Sequence, residues 1–116
     1  MTAMEEREKA FEAKYHLDEE MAFKANVRRA KLLGLWAAAK LGLADEAALA
    51  YARSVVEADL ADGHHGALIS KLLGDLAVEG IPIDAETITH QMDRLAREAQ
   101  AQVVAELVSG KQTLTA

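Results

Sequence analysis

The chain contains no cysteine, one proline and few aromatic residues, and each scarcity excludes a class of protein. Without cysteine, the sequence allows no disulfide, no cysteine nucleophile and no zinc–cysteine site. One proline and 4% aromatic residues count against a β-sandwich or barrel, which needs turn residues and strand-forming side chains. The glycines fit neither a P-loop nor a dinucleotide-binding motif, so no phosphate-binding loop is predicted.

Long apolar runs are also missing. The first 20 residues are rich in Glu and Lys, which is unlike a signal peptide. The longest apolar stretch is interrupted by Lys40 and falls far short of the roughly 20 residues that span a membrane. We therefore expect a cytoplasmic chain without direct membrane insertion. Its 116 residues, 51% of them hydrophobic, suit one globular domain.

Charge is distributed unevenly along the chain. Residues 1–20 carry seven acidic and three basic side chains, and residues 21–44 carry five basic side chains and no acidic one. Residues 45–116 are again acidic, and the net charge of -6 argues against a nucleic-acid partner. The basic segment resembles a membrane-surface or nucleic-acid helix, but its acidic neighbours favour pairing within the protein or with a protein partner.

Helical periodicity extends over most of the sequence. Apolar residues recur at helical spacing, and strong helix formers fill the first forty positions. The pattern predicts four helices, over residues 5–41, 45–62, 65–79 and 84–107.

The predicted helix ends carry recognisable signals. Gly42, Gly63 and Gly80 stand where a left-handed residue would end the first three helices. Asp45 and Asp84 stand where N-caps would start the second and fourth.

Short links between these helices predict an all-α fold, a four-helix bundle with a long first helix. A helix of 37 residues is about 55 Å long, whereas a compact domain of this size measures roughly 35 Å across. About 20 Å of helix must therefore project from the bundle or be unfolded. We expect a mobile N-terminal arm over residues 1–18, the bundle over 19–108 and a loose tail over 109–116.

The arm has the composition of a segment that folds on a partner. Phe11 and Tyr15, four residues apart, would be apolar anchors, with Arg7, Lys9 and Lys14 as a charged rim. A solvated terminus without function is an equal alternative, because frayed ends are common.

The histidines and aspartates near the middle of the chain have simple structural interpretations. His64 and His65 are adjacent, so their side chains diverge, and they are expected to form a hydrophilic link rather than a metal site. Asp59 and Asp62 are expected to be a solvated helix end rather than a catalytic pair.

A four-residue sequence is repeated in two of the predicted helices. Residues 31–34 and 71–74 share the letters KLLG. We expect Gly34 and Gly74 to permit close helix approach, and Trp36 to be a core residue.

The N-terminal third carries a long composite match to a known family. The matching runs are REKAFEAKY at 7–15, DEE at 18–20, FKA at 23–25, RR at 28–29 and KLLGLWAA at 31–38. With these runs, the N-terminal third resembles the bacterial F-type ATP synthase inhibitor subunit zeta family, and the remainder fits it more loosely.

The resemblance implies a regulatory protein, not an enzyme, that needs no cofactor or metal and is a monomer when free. Its arm would insert at a catalytic α/β interface of the ATP synthase, beside the γ subunit, and block rotation in the hydrolytic direction. The protein would associate peripherally with the membrane-bound synthase. Carried over by position, the inserted residues are Arg7, Lys9, Phe11, Lys14 and Tyr15, and the residues that continue toward the bundle are Asp18, Glu19, Glu20, Phe23, Lys24, Arg28 and Arg29.

The sequence departs from the family pattern at five positions. His16 and Leu17 stand where the family has a small residue and a His before the acidic triple. Asn26, Ala30 and Lys40 stand where the family has Glu, Asn and Glu, so the middle segment is more basic. A second function class therefore stays open, a helical adaptor or a bundle that binds a small ligand such as a nucleotide. A hydrolytic enzyme is the weakest alternative, because the sequence offers no nucleophile with a base and an orienting group.

Overall fold

The computed structural model describes residues 3–110, with the side chains of residues 10–17 outside the description. All secondary structure in this part of the chain is helical, which confirms the all-α prediction. The observed bounds lie within two residues of the predicted ones, a difference typical of helix ends. The four helices are α1 (Ala3–Lys40), α2 (Asp45–Asp62), α3 (Gly66–Val78) and α4 (Ala85–Val108).

The three predicted glycine stops are confirmed. Gly42 follows α1 with a φ of 78°, Gly63 follows α2 with a φ of 74°, and Gly80 follows α3 with a φ of 72°. After Gly42, the N–H of Leu43 donates to the carbonyl of Ala38 at 2.9 Å, so one of the last carbonyls of α1 is satisfied. The chain can therefore reverse direction in a short link between α1 and α2.

The two predicted aspartate caps differ in outcome. Asp84 caps α4, because its carboxylate accepts the Thr87 N–H at 2.8 Å and the Thr87 hydroxyl at 2.7 Å. These hydrogen bonds lower the pKa of Asp84. The prediction for Asp45 is wrong by one residue: Ala44 is the N-cap of α2, and its carbonyl closes the first turn by accepting from Ala47 and Ala48. Asp45 still lies in the first turn, where its negative charge interacts favourably with the helix dipole.

The core is built from apolar side chains of all four helices. Helix α1 packs against α2, α3 and α4, and α3 also packs against α2 and α4. The largest fully buried side chains are Leu33, Val55, Leu68, Leu72, Leu76 and Ile88. Every buried apolar residue of the described chain lies between Ala30 and Val103, so residues 3–9 and 18–29 of α1 add no fully buried side chain to this core.

A close approach of α1 and α2 depends on Gly34. A Cβ at this position would lie 2.8 Å from the Ala52 Cα and 3.2 Å from the Val55 Cβ, so only glycine fits without a shift. The same prediction is wrong for Gly74, where a Cβ would meet nothing within 4 Å because this residue is on the exposed side of α3. The shared KLLG letters therefore do not mark equivalent packing positions.

Trp36 lies at the edge of the core rather than in its centre. The side chain is partly buried and packs against the buried cluster. The ammonium group of Lys40 lies 5.0 Å from the centroid of its ring, within cation–π distance.

A polar cluster joins α2 to α3. The Tyr51 hydroxyl donates to Asp75 at 2.8 Å, and Lys71 donates to the same carboxylate oxygen at 2.9 Å. Burial raises the pKa of Asp75, but the hydrogen bonds from Lys71 and Tyr51 outweigh it, so the net shift is downward. Burial, reinforced by the bond to Asp75, raises the pKa of Tyr51 well above its ordinary value. The contact also shows that α3 runs back along α2.

The molecule is elongated because α1 is longer than its partners. The principal extents are 65 × 26 × 22 Å, and 38 helical residues span about 57 Å. Residues 3–9 and 18–20 are all exposed. The first part of α1 therefore extends past the other helices, as the length arithmetic predicted, while the mobility of the arm and the division into three segments stay predictions.

Candidate partner-binding helix

The predicted inserted segment lies on the projecting part of α1. Arg7 and Lys9 are exposed on this helix. Phe11, Lys14 and Tyr15 fall among residues 10–17, whose side chains lie outside the described part of the structure. The backbone of α1 is helical without interruption, so all five predicted residues lie on one continuous helix.

The next predicted positions change gradually from exposed to packed. Asp18, Glu19 and Glu20 are exposed, and Phe23 keeps 59% of its surface accessible. Lys24 is half-buried. A phenylalanine this exposed is unusual for a side chain that could bury itself against a helical body.

Arg28 fixes α1 to α4. Its guanidinium donates to both carboxylate oxygens of Glu106, the Nη2–Oε1 distance being 2.8 Å, and to Gln102 at 2.9 Å. Only 13% of the Arg28 side chain is exposed, and the hydrogen bonds to Glu106 raise its pKa. A two-pronged arginine–carboxylate pair fixes orientation as well as distance, so it holds the two helices in register.

Arg29 fixes α1 to the junction of α2 and α3. Its guanidinium lies 2.6 Å from the His65 Nε2, and the His65 Nδ1 lies 2.9 Å from an oxygen of Asp59. Because arginine only donates, Nε2 must accept, which places the proton of His65 on Nδ1, where it donates to Asp59. Three parts of the chain are thereby joined through one imidazole ring.

We call α2, α3, α4 and the part of α1 that packs on them, from Arg28 to Lys40, the body of the protein. The two arginines thus have partners within the chain, at the point where α1 enters the body. The projecting helix is consequently anchored at its base on two sides. The projecting part of α1 is therefore a helix held at one end by the packed body.

A comparison with protein-family models gives the family. Residues 1–102 match the family described as ATPase inhibitor subunit zeta. The chain belongs to this family. The match extends well beyond the N-terminal third that carries the sequence resemblance. A search of curated proteins gave no match.

Membership in the inhibitor family settles the functional class. An ATPase inhibitor subunit is a regulatory protein rather than an enzyme. No helix in the described part of the chain combines the length and apolarity of a membrane span. Within residues 3–110, leaving aside the side chains of 10–17, no group of three His, Cys, Asp or Glu residues could hold a metal ion.

Sequence reasoning missed the contacts that anchor α1 to the other helices. Asp59 is a correction: its side chain is 11% exposed and accepts from His65, so it is not a solvated helix end. His65 joins helices through Arg29 and is more than a hydrophilic link. His65 lies 36 positions from Arg29 in the sequence, and Glu106 lies 78 positions from Arg28. The contrast between the basic middle segment and the acidic remainder of the chain was the only sequence signal for these contacts.

Among the residues that the structure describes, grooves flank α1 at three places. A groove of about 420 Å³ lies between α1 and α4, and one of about 540 Å³ lies between α1 and α2. A third, of about 160 Å³, lies where α1 meets the end of α2. Exposed Phe23 and Leu60 both line this third groove.

Proposed function

We propose that this chain inhibits ATP hydrolysis by the F-type ATP synthase through its projecting N-terminal helix. The helix inserts at a catalytic α/β interface beside the γ subunit and blocks rotation in the hydrolytic direction. The proposal extends the family assignment, which supports inhibition of an ATPase, to a mechanism.

The observation that carries the proposal is the shape of α1. It is uninterrupted from Ala3 to Lys40, and its first part lies beyond the helices that pack on the rest. A projecting helix whose sequence has apolar residues four apart has the form of a segment that binds in a groove of a partner. Phe11 and Tyr15 are the proposed anchors, because aromatic side chains dominate most helix-in-groove contacts.

The body supplies a support that keeps the inserted helix from being pulled free or rotated. Arg28 and Arg29 tie α1 to α4 and to the α2–α3 junction, so force on the helix is shared by the whole body. We infer that residues 19–108 act as a four-helix bundle, since each helix packs against its neighbours along the chain and α4 returns to α1.

Further parts of the proposal follow from the resemblance. Residues 1–18 form a mobile inhibitory arm, and Asp18, Glu19 and Glu20 with Phe23 and Lys24 continue it to the hexamer surface. The free protein is a monomer, and it works in the cytoplasm, at the periphery of the membrane-bound synthase.

The test is ATP hydrolysis by the purified catalytic sector, with increasing amounts of the full-length chain. We expect Phe11→Ala combined with Tyr15→Ala to abolish inhibition, and circular dichroism to show an unchanged body. A truncation to residues 19–116 retains every described core residue and should also fail to inhibit. Val78→Ala is the matched control, because Val78 is 83% exposed and lies outside α1.

Inhibition by the double variant at the wild-type level would refute the anchors. Absence of inhibition by the wild-type chain would refute the mechanism and favour a ligand-binding bundle. The groove of about 540 Å³ is the place to look in that case, because Lys31 and Arg53 line it and would suit an anionic ligand.

A further inference from the structure

Two large apolar side chains stand exposed at the groove of about 160 Å³ where α1 meets the end of α2. Phe23 on α1 is 59% exposed, and Leu60 on α2 is 53% exposed. Half-buried Val27 and Val56 line the groove between them, above the buried Ala30. We call Phe23, Val27, Val56 and Leu60 the shoulder. These apolar side chains come from two helices and share the groove with Asn26, Asp59, His64 and His65.

Exposed apolar side chains are not spread evenly over the body. Leu60 lies one residue from Asp59, which is joined through His65 to Arg29 near the base of the arm. Val104 and Val108, also exposed, flank Glu106, the partner of Arg28. The far end of the described body has Val78 alone, at the end of α3. The end of the body beside the projecting helix is therefore the apolar one.

Acidic residues flank the shoulder. Glu19 and Glu20 precede Phe23 by one helical turn, and Glu57 precedes Leu60 by three residues; all three are exposed. Half-buried Lys24 lies beside them, and His64 and His65 line the groove itself. A surface of this kind suits an apolar side chain that is flanked by Lys or Arg.

Continuity with the inserted helix decides which protein supplies that surface. Phe23 belongs to the same uninterrupted helix as the arm and lies three residues beyond Glu20. When the arm is inserted, the shoulder is the first part of the body to reach the outer face of the partner. Apolar patches beside a binding element commonly complete the interface.

We propose that the shoulder is a second docking surface for the catalytic sector of the ATP synthase. It seats an apolar side chain flanked by basic residues on the outer face of the sector, and Leu60 is its anchor outside α1. The proposal rests on the proposed function. In this arrangement the arm blocks rotation, whereas the shoulder sets how tightly the inhibitor is held.

The test compares variants of the full-length chain in the same hydrolysis assay. Leu60→Ser should raise the half-inhibitory concentration roughly tenfold, the loss expected for one buried leucine, while saturating protein still inhibits fully. Val78→Ser, an equally conservative change at the far end, should leave the curve unchanged. The arm variants differ in kind, because they abolish inhibition even at saturation.

A charge pair tests the basic flanks. Leu60→Glu and Leu60→Lys both remove the apolar anchor, and a basic partner surface should tolerate Glu better than Lys. We expect the lysine variant to have the higher half-inhibitory concentration, and the difference to shrink in high salt. Equal effects, or the reverse order, would overturn the basic partner surface.

Other outcomes also decide the question. Inhibition by Leu60→Ser at the wild-type concentration would overturn the shoulder and leave the arm intact. A wild-type dimer that Leu60→Ser converts to monomer without changing inhibition would assign the shoulder to a second copy and overturn the proposal. A wild-type chain that neither binds nor inhibits the sector would overturn the proposed function and the shoulder together.

Discussion

Two glycines at matching letters of the sequence give a direct measure of how closely α1 and α2 pack. Replacing Gly34 with Ala adds a methyl group 2.8 Å from the Ala52 Cα and 3.2 Å from the Val55 Cβ. Real Cβ atoms essentially never come as close as the first distance, and a backbone atom cannot turn aside. The two helices must therefore separate by several tenths of an ångström. Replacing Gly74 with Ala adds the same methyl group to open space.

The magnitude follows from two terms. An alanine in a helix is more favourable than glycine by about 1 kcal/mol, and both variants gain this amount. Overpacking costs typically about 1–3 kcal/mol, and only Gly34→Ala incurs it. We expect Gly74→Ala to be more stable than the wild type, and Gly34→Ala to be less stable than Gly74→Ala by about 1–3 kcal/mol. The helix-propensity term cancels in that difference, so the difference measures the packing of α1 on α2.

Urea unfolding followed by circular dichroism measures both free energies of unfolding. Thermal unfolding gives a second readout, since about 1 kcal/mol shifts the Tm of a domain near this size by roughly 4 °C. The reasoning is refuted if Gly34→Ala stabilises the protein as much as Gly74→Ala does. That result would mean that α1 and α2 separate without loss of packing.

Two polar contacts give further predictions. Glu106→Gln should lower the free energy of unfolding by about 1–2 kcal/mol, because Arg28 loses a charged acceptor in a half-buried site; an unchanged urea midpoint would contradict this anchor. Asp75→Asn tests pH dependence: the folded pKa of Asp75 lies below its ordinary value of 3.8, so the stability it contributes is complete above that pH and is lost as the pH falls through the folded pKa. The difference in Tm between wild type and Asp75→Asn should therefore be largest near neutral pH and should shrink at acidic pH. A difference that is constant with pH would contradict the assignment to Asp75.

Local signals in the sequence predicted the helices well. Helix boundaries depend on residues within a turn of the end, so Gly42, Gly63 and Asp84 could be recognised from their neighbours alone. The prediction at Asp45 missed by one residue, because the capping geometry depends on how the preceding turn approaches the helix. The length of α1 relative to a compact domain also predicted that part of it would project.

Contacts between distant residues could not be predicted in the same way. The partners of Arg28 and Arg29 depend on how α3 and α4 fold back on α1, and no local pattern encodes that arrangement. Gly34 and Gly74 show the same limit, since identical letters surround both but only one faces another helix. The shoulder could not be predicted either, because the sequence around Leu60 is that of an ordinary helix and does not show that α1 lies beside it.

The continuity of α1 through the arm and the core has a consequence for the cost of ordering the arm. An isolated peptide must first form a helical nucleus, with an equilibrium factor on the order of 10⁻³, equivalent to about 4 kcal/mol. A segment joined to an already packed helix needs only to add residues to an existing end. Helicity in the arm then grows outward from the part of α1 that Arg28 and Arg29 hold in place. The packed part of α1 thus serves as a helix nucleus for the residues that precede it. A free peptide of the same sequence as the arm would have to form its own nucleus at the full cost in free energy.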